Sequence, residues 1–134
     1  MRVNTYPCYG GNVDEAVAAH FELRPGFCAS YHRGIELIGK RWNGVILREL
    51  LLGAKHFVEI RRAIPALTDS MLSTRLRELE AEGIVSRTVY DETPVCVEYE
   101  LTEMGRDLQE AVAALNRWAS RWFPSDEDGN VRKD

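Results

Sequence analysis

The chain has 134 residues, which is the size of one domain with short extensions and is large enough to bury a hydrophobic core. Hydrophobic residues make up 45% and charged residues 28% of it, no apolar run reaches the ~20 residues of a membrane span, and the net charge of −4 gives no overall basic character. The N-terminal residues lack the layout of a signal peptide and the three cysteines are an odd number, so we expect a cytoplasmic protein without a disulfide framework.

The sequence of residues 1–50 predicts an irregular arm followed by three helices. Residues 1–12 contain a proline and two glycines, which disfavour regular structure. Asn12, with a glutamate three positions later, resembles a capping box and predicts a short helix that ends by Pro25. Apolar residues at helical spacing predict two further helices, at 30–38 and at 42–50.

Residues 57–82 predict two short helices joined by a tight turn. Pro65 ends the first helix because proline has no N–H group and disfavours a helical conformation of the residue before it. Thr68 can cap the second helix, and Gly83 stands where helices often end in the left-handed conformation. The second helix is expected to bury three leucines on one side: Leu72, Leu76 and Leu79.

The opposite side of this second helix carries Ser70, Ser73, Thr74 and Arg77. Small polar groups near a helix start, followed by an arginine one to two turns later, suit a surface that enters the major groove of DNA. The pattern therefore favours a helix-turn-helix. Any two amphipathic helices would give the same pattern, so a solvated helix pair remains open at this point.

After Gly83 the pattern changes from helical to alternating. Residues 84–90 and 95–101 are rich in β-branched and aromatic side chains, and a short connection, Asp91 to Pro94, joins them. A hairpin directly after a DNA-reading helix is the wing of a winged helix, and Arg87 could contact phosphate from it. The tip is acidic, which disfavours phosphate binding there.

A last helix is predicted from Thr102 to about Trp122. It carries a long apolar stripe: Met104, Leu108, Ala111, Val112, Leu115, Ala119 and Trp122. One small core cannot cover such a stripe, so we infer a homodimer formed by this helix and the N-terminal helical segment. Two-fold symmetry would present two DNA-reading helices to a pseudo-palindromic site. The alternative is that the stripe folds wholly onto its own domain.

Charge is distributed unevenly along the chain. Residues 40–88 contain nine Lys/Arg and six Asp/Glu, whereas the rest contains eight and fifteen. The positive excess lies on the segment that would face DNA, where Arg61 and Arg62 could clamp the backbone beside the groove. An ordinary solvated face is the alternative for these two residues. Arg75 lies nearer the core edge, where its head could reach phosphate or pair with Glu78.

Together these features resemble the HxlR-type bacterial transcriptional regulators, a winged helix-turn-helix family. The resemblance covers about residues 28–122 and is carried by IELIGKRW (35–42), ILRELLLG (46–53), FVEIRRAIP (57–65), MLSTRLRELEAEGIVSRTVY (71–90) and PVCVEYELTEMGR (94–106). It implies a mainly α fold with a small β-hairpin, in dimers joined through the N- and C-terminal helices. It also implies binding to operator double-stranded DNA and control of nearby genes, in some members in response to oxidants, electrophiles or small ligands.

The domain division that we predict has three parts. They are an arm and short helix that contribute to dimerisation (1–27), a winged helix-turn-helix domain with its C-terminal dimerisation helix (28–123), and a disordered tail (124–134).

Four positions depart from the family pattern. One is Cys28, which lies fourteen residues before Trp42, whereas family members tend to have a cysteine thirteen residues before this tryptophan. Ser70 stands where a lysine is frequent, and Thr74 where a longer polar side chain is frequent. Cys96 stands where the wing often has an arginine, so one expected phosphate contact is missing. We interpret Cys96 as structural.

Cys28 is the candidate for redox sensing. It lies four residues before His32, so on a helix the two share a face, where an imidazolium could raise the thiolate fraction that reacts with oxidants. A quiet thiol near the dimer interface is the alternative. A metal site of Cys28 and His32 with Cys8 or His20 would lack the full ligand set of a zinc site, so we predict no metal and no cofactor.

The motifs of common enzymes are absent from the sequence: it has no phosphate-cradling glycine loop, no paired-histidine metal motif and no nucleophile elbow. We therefore predict a DNA-binding regulator and not an enzyme. The alternative is a winged-helix protein-interaction module that has lost DNA binding, which the low basic charge and the missing wing arginine favour.

Overall fold

Seven helices and one β-hairpin make up the described part of the chain, residues 14–126 and 128–131 of a computed structural model. The elements are α1 (Glu15–His20), α2 (Ala29–Gly39), α3 (Asn43–Leu51), α4 (Phe57–Ala63), α5 (Asp69–Ala81), β1 (Val85–Tyr90), β2 (Cys96–Leu101), α6 (Glu103–Arg106) and α7 (Gln109–Trp122). The predicted fold, mainly helical with one small hairpin, is confirmed. No helix among the described residues is long and apolar enough to cross a membrane.

The chain divides between Leu37 and Ile38 into two units. In the first, the Asp14 carboxylate caps α1 by accepting a hydrogen bond from the Val17 N–H at 3.0 Å. The arm at 1–12, with the predicted cap Asn12, lies outside the described residues. None of the residues of α1 or α2 is buried, and large apolar side chains of this region stay exposed: Val17, Phe21, Leu23, Phe27, Tyr31 and Ile35.

The second unit has a hydrophobic core that α3, α4, α5 and the hairpin share. Helical spacing places the buried apolar residues of α3 and of α5 on one side of each helix. Helix α3 contacts α4 and β2, and α5 contacts β1. The buried apolar residues are Ile46, Leu47, Leu50, Ile60, Ile64, Leu67, Leu72, Leu76, Leu79, Ile84, Val85 and Leu101.

The turn between α4 and α5 has the predicted chemistry. Helix α4 ends at Ala63, just before Ile64 and Pro65. The Thr68 hydroxyl caps α5 by accepting a hydrogen bond from the Met71 N–H at 3.1 Å. Gly83, after the end of α5, has a φ of +83°, which glycine adopts without the steric cost that other residues incur.

The hairpin β1–β2 is antiparallel, with Val85 opposite Leu101 and Val89 opposite Val97. Its strands begin one residue later than the sequence predicted. The Thr102 hydroxyl then joins the hairpin to the end of α5 by donating to the Gly83 carbonyl at 2.5 Å.

The long C-terminal helix that the sequence predicted is divided into α6 and α7. The Leu108 N–H bonds to the Gly105 carbonyl three residues back at 3.2 Å, which tightens the turn between the two helices. A Cβ at Gly105 would collide with the Ile84 carbonyl oxygen, so this part of the chain is pressed against the start of the hairpin. In the tail, where we predicted disorder, Ser125 and Val131 pair across a turn.

Candidate DNA-binding surface

The outer side of α5 carries the residues that the sequence placed there. Ser70, Ser73 and Arg77 are exposed and Thr74 is half-buried. The Thr74 hydroxyl donates to the Ser70 carbonyl at 2.9 Å, so its hydrogen is already used within the helix. Thr74 can therefore offer an approaching ligand an oxygen lone pair and a methyl group, whereas the two serine hydroxyls can still donate.

A groove of about 340 Å³ separates α5 from the hairpin and brings three of the predicted residues together. Ser73 and Arg77 line it from α5, and Arg87 lines it from β1. Arg77 and Arg87 have no hydrogen-bond or ion-pair partner among the described residues. Two free guanidinium groups in one groove make it suitable for a phosphate or a base edge.

Two further residues of this groove, Glu80 and Tyr99, were not selected from the sequence. Glu80 lies three residues after Arg77 on α5, so helical spacing alone could have found it. Tyr99 stands opposite Arg87 in the hairpin, a pairing that only the strand register defines. The Glu80 carboxylate lowers the positive potential that the two arginines create.

Arg61 and Arg62 are neighbours with different surroundings. Arg61 Nε lies 2.6 Å from Asp69 Oδ1 in the first turn of α5, and its Nη1 donates to the Pro65 carbonyl at 3.5 Å. Its guanidinium therefore closes the turn between α4 and α5. Arg62 is exposed and has no such partner among the described residues, so its charge is available to a ligand.

Arg75 is held inside the protein. Its side chain is 13% exposed, its Nε donates to the Arg41 carbonyl at 3.0 Å, and its Nη1 donates to Glu78 Oε2 at 2.9 Å. Lys40 Nζ lies 3.0 Å from the same carboxylate oxygen. The hydrogen bond from Lys40, and then that from Arg75, hold the pKa of Glu78 below its ordinary value. The pairing with Glu78 that the sequence predicted as one role of Arg75 is present, and contact of Arg75 with phosphate stays a prediction.

Cys28 is exposed, and its thiol has no partner among the described residues. His32 points to Glu36, with 3.0 Å between His32 Nε2 and Glu36 Oε1, and Phe27 stacks at a tilt on the same imidazole with 5.3 Å between ring centroids. The imidazole is therefore already engaged by Glu36 and Phe27. Cys8, the other cysteine considered for this site, lies outside the described residues.

Comparison with known proteins finds similarity to helix-turn-helix transcriptional regulators. The model of the HxlR-like helix-turn-helix family matches residues 37–127. The uncharacterised HTH-type transcriptional regulator YvaP of Bacillus subtilis is 41% identical over 96 residues, which are 72% of this chain and 89% of that protein.

Two solved structures are similar in both sequence and fold. The reduced form of the transcriptional regulator YodB from B. subtilis is 42% identical with a TM-score of 0.64, over 78% of this chain and 100% of that one. The redox regulator HypR in its oxidised form is 41% identical with a TM-score of 0.66, over 69% of this chain and 96% of that one. The resemblance inferred from the sequence is confirmed, and the chain belongs to the HxlR-like helix-turn-helix family of transcriptional regulators.

Proposed function

We propose that the chain is a sequence-specific DNA-binding regulator of transcription that acts as a homodimer on a pseudo-palindromic operator in the cytoplasm. The outer side of α5 enters the major groove, and the hairpin lies along the neighbouring phosphates. The observation that carries this proposal is the exposed Arg77 on α5, unpaired among the described residues and sharing a groove with Arg87 of the hairpin. The similarity to HTH-type transcriptional regulators supports it.

The side chains of this surface divide by what they can offer DNA. Arg77 is placed to reach a base edge or a phosphate, while Arg62 and Arg87 supply charge for the backbone. Ser70 and Ser73 can donate to or accept from base edges, and Thr74 can accept or contact a thymine methyl group.

Arg61 and Arg75 act on DNA binding indirectly. The ion pair of Arg61 with Asp69 fixes the start of α5, and the bonds of Arg75 to Glu78 and to the Arg41 carbonyl fix its middle. A helix held at both points presents its outer side in one orientation, which base readout requires.

Two exposed apolar stripes support the homodimer. On α7, Leu115, Trp118 and Trp122 recur at helical spacing, and each is more than half exposed. On the N-terminal unit, Phe27 is 80% exposed and Tyr31, four residues later, is 66% exposed. Contiguous exposed apolar residues of this kind mark protein interfaces, and we assign both stripes to the contact with a second copy of the chain.

Sedimentation of the purified chain tests the dimer. Leu115→Asp places a charge in the α7 stripe, so we expect a shift from dimer to monomer. Val58→Asp is the matched control because Val58 is exposed to a similar extent on α4, outside both stripes, and this variant should remain dimeric. A monomeric wild-type protein, or equal dissociation of the two variants, would exclude the assignment.

Selection of genomic DNA fragments by the purified protein tests DNA binding. For a selected fragment, the logarithm of the affinity should fall linearly with the logarithm of the salt concentration, with a slope of about −0.9 for each phosphate neutralised. Loss of sequence preference together with a flat salt response would exclude a DNA-binding regulator.

The second candidate function is a winged-helix module that binds another protein. It is favoured by the acidic Glu80 in the groove and by Cys96 at a position where the wing often has an arginine. It predicts that no fragment is enriched above background and that any retardation of DNA has the same weak salt response for all sequences.

A response to oxidants through Cys28 completes the proposal, and the similarity to the redox regulator HypR supports it. The exposure of the thiol makes it accessible to diamide or peroxide. We expect oxidant to release the wild-type protein from its operator while Cys28→Ser stays bound. Equal release of both proteins would remove this part of the proposal.

A further inference from the structure

His56, immediately before α4, has its imidazole turned towards strand β2. Glu59 accepts a hydrogen bond from the His56 backbone N–H at 3.1 Å and bonds to the ring Nδ1 at 2.5 Å. In the tautomer that carries its proton on Nδ1, the ring donates to Glu59 and presents the Nε2 lone pair to β2. Nε2 lies 3.7 Å from Cys96 Sγ and 3.8 Å from Glu98 Oε1.

The fold brings these three donors together through backbone contacts. Cys96 and Glu98 are two residues apart on β2, so their side chains point to the same face of the strand. The Tyr99 N–H donates to the Lys55 carbonyl at 2.7 Å, which attaches β2 to the residue just before His56. The cluster therefore rests on the attachment of the hairpin to the start of α4.

The spacing of the donors suits a tetrahedral metal ion. The imidazole nitrogen, the thiol sulfur and a carboxylate oxygen all lie within 4.8 Å of one another. The bond lengths of tetrahedral zinc place such donors about 3.3–3.6 Å apart. The two measured separations from Nε2 are 3.7 and 3.8 Å, so small side-chain rotations would complete the geometry.

The chemistry of the donors selects the class of metal. Thiolate and imidazole ligands favour zinc and similar transition metals, whereas magnesium and calcium prefer sites made of oxygen. A supporting contact is also present. Glu59 orients His56 as a carboxylate orients a metal-bound histidine.

We propose that His56, Cys96 and Glu98 bind one zinc-class divalent ion that joins the wing to the first helix of the helix-turn-helix. Binding releases the thiol proton to solvent and leaves the fourth coordination position to water, because the side chains of His56 and Glu98 are partly exposed. The sequence predicted no metal site because His56 and Cys96 lie 40 positions apart and only the packing of β2 against the start of α4 brings them together.

Titration of the reduced, chelator-treated protein with Co²⁺ tests the site. A cobalt ion bound to a thiolate in tetrahedral geometry absorbs visible light, and Zn²⁺ displaces the cobalt ion. We expect a thiolate-to-cobalt absorption band that saturates at one ion per chain and disappears on addition of Zn²⁺. Cys96→Ser should lose the band. Cys28→Ser is the matched control and should keep it, because Cys28 is the other cysteine of the described residues.

Two milder variants separate coordination from folding. Glu59→Gln leaves the three ligands in place and should weaken Co²⁺ binding about 10-fold through poorer orientation of the imidazole. Zn²⁺ should raise the melting temperature of wild type and of Cys28→Ser and leave that of Cys96→Ser unchanged. The absence of a thiolate band in the wild-type protein, or a band that survives in Cys96→Ser, would overturn the proposal whether or not the chain binds DNA.

Discussion

The two sides of α5 show how one helix divides its residues between folding and recognition. On the inner side, Leu72, Leu76 and Leu79 are at most 1% exposed. On the outer side, Ser73 and Arg77 face a groove that is open to solvent. The contrast is clearest for two arginines that lie two positions apart. Arg75 is hydrogen-bonded within the protein, whereas Arg77 has no partner among the described residues. The role of each of these arginines therefore depends on the partners of its side chain and not on its residue type.

The largest effect is expected on the inner side. Leu76→Ala would remove buried methyl groups at the centre of the core and lower the free energy of unfolding by about 2–5 kcal/mol. Urea denaturation measures it. The matched control is Ser73→Ala on the exposed side, for which we expect a change within about 0.5 kcal/mol. Similar losses in the two variants would mean that α5 does not have one buried and one free side.

On the outer side, Arg77→Ala should affect DNA binding and not stability. We expect a loss of about 1–3 kcal/mol in the free energy of operator binding if Arg77 reads a base, with unfolding unchanged. Arg106→Ala, which removes the same charge from an exposed position on α6, is the control for net charge. If both variants lose the same affinity, the contribution of Arg77 is general electrostatics, and if neither does, the docking surface is elsewhere.

Arg75→Ala should behave in the opposite way to Arg77→Ala. It removes hydrogen bonds to the Arg41 carbonyl and to Glu78, so we expect a loss of about 1–2 kcal/mol in the free energy of unfolding. Arg75→Lys keeps the charge and should recover only part of this loss, since an ammonium group cannot reproduce the fork of a guanidinium. If Arg75→Ala is fully stable but binds DNA poorly, Arg75 contacts DNA directly.

Much of the fold could be predicted because its determinants are local in sequence. The spacing of Leu72, Leu76 and Leu79 defined the inner side of α5, while Pro65 and Thr68 defined the turn before it. The β-branched and aromatic residues of 84–90 and 95–101 located both strands to within one residue. In each case the physical cause lies within a few positions of its effect.

The parts that could not be predicted depend on residues far apart in sequence. The carbonyl that holds Arg75 belongs to Arg41, 34 positions away. The close approach of Gly105 to Ile84, just before the break between α6 and α7, also joins residues that are far apart in sequence. Periodicity identifies which side of an element is buried, but it does not identify which polar groups meet once the elements pack.

The smallest expected effect is the contribution of Glu78 to stability, which depends on pH. The hydrogen bonds from Lys40 and Arg75 hold the pKa of Glu78 below its ordinary value, so the folded protein binds the proton less readily than the unfolded chain. The stabilisation from this carboxylate is therefore complete above the ordinary pKa and is lost as the pH falls through the folded one. Glu78→Gln should be less stable than wild type at neutral pH, by a modest amount since the group is accessible to solvent, and the difference should shrink as the pH falls below the ordinary pKa of a glutamate. Glu80→Gln removes a carboxylate from the same helix outside this network, so its difference in stability from wild type should not shrink at acidic pH. If the difference between wild type and Glu78→Gln stays constant from neutral to acidic pH, ionisation of Glu78 does not support the inner side of α5.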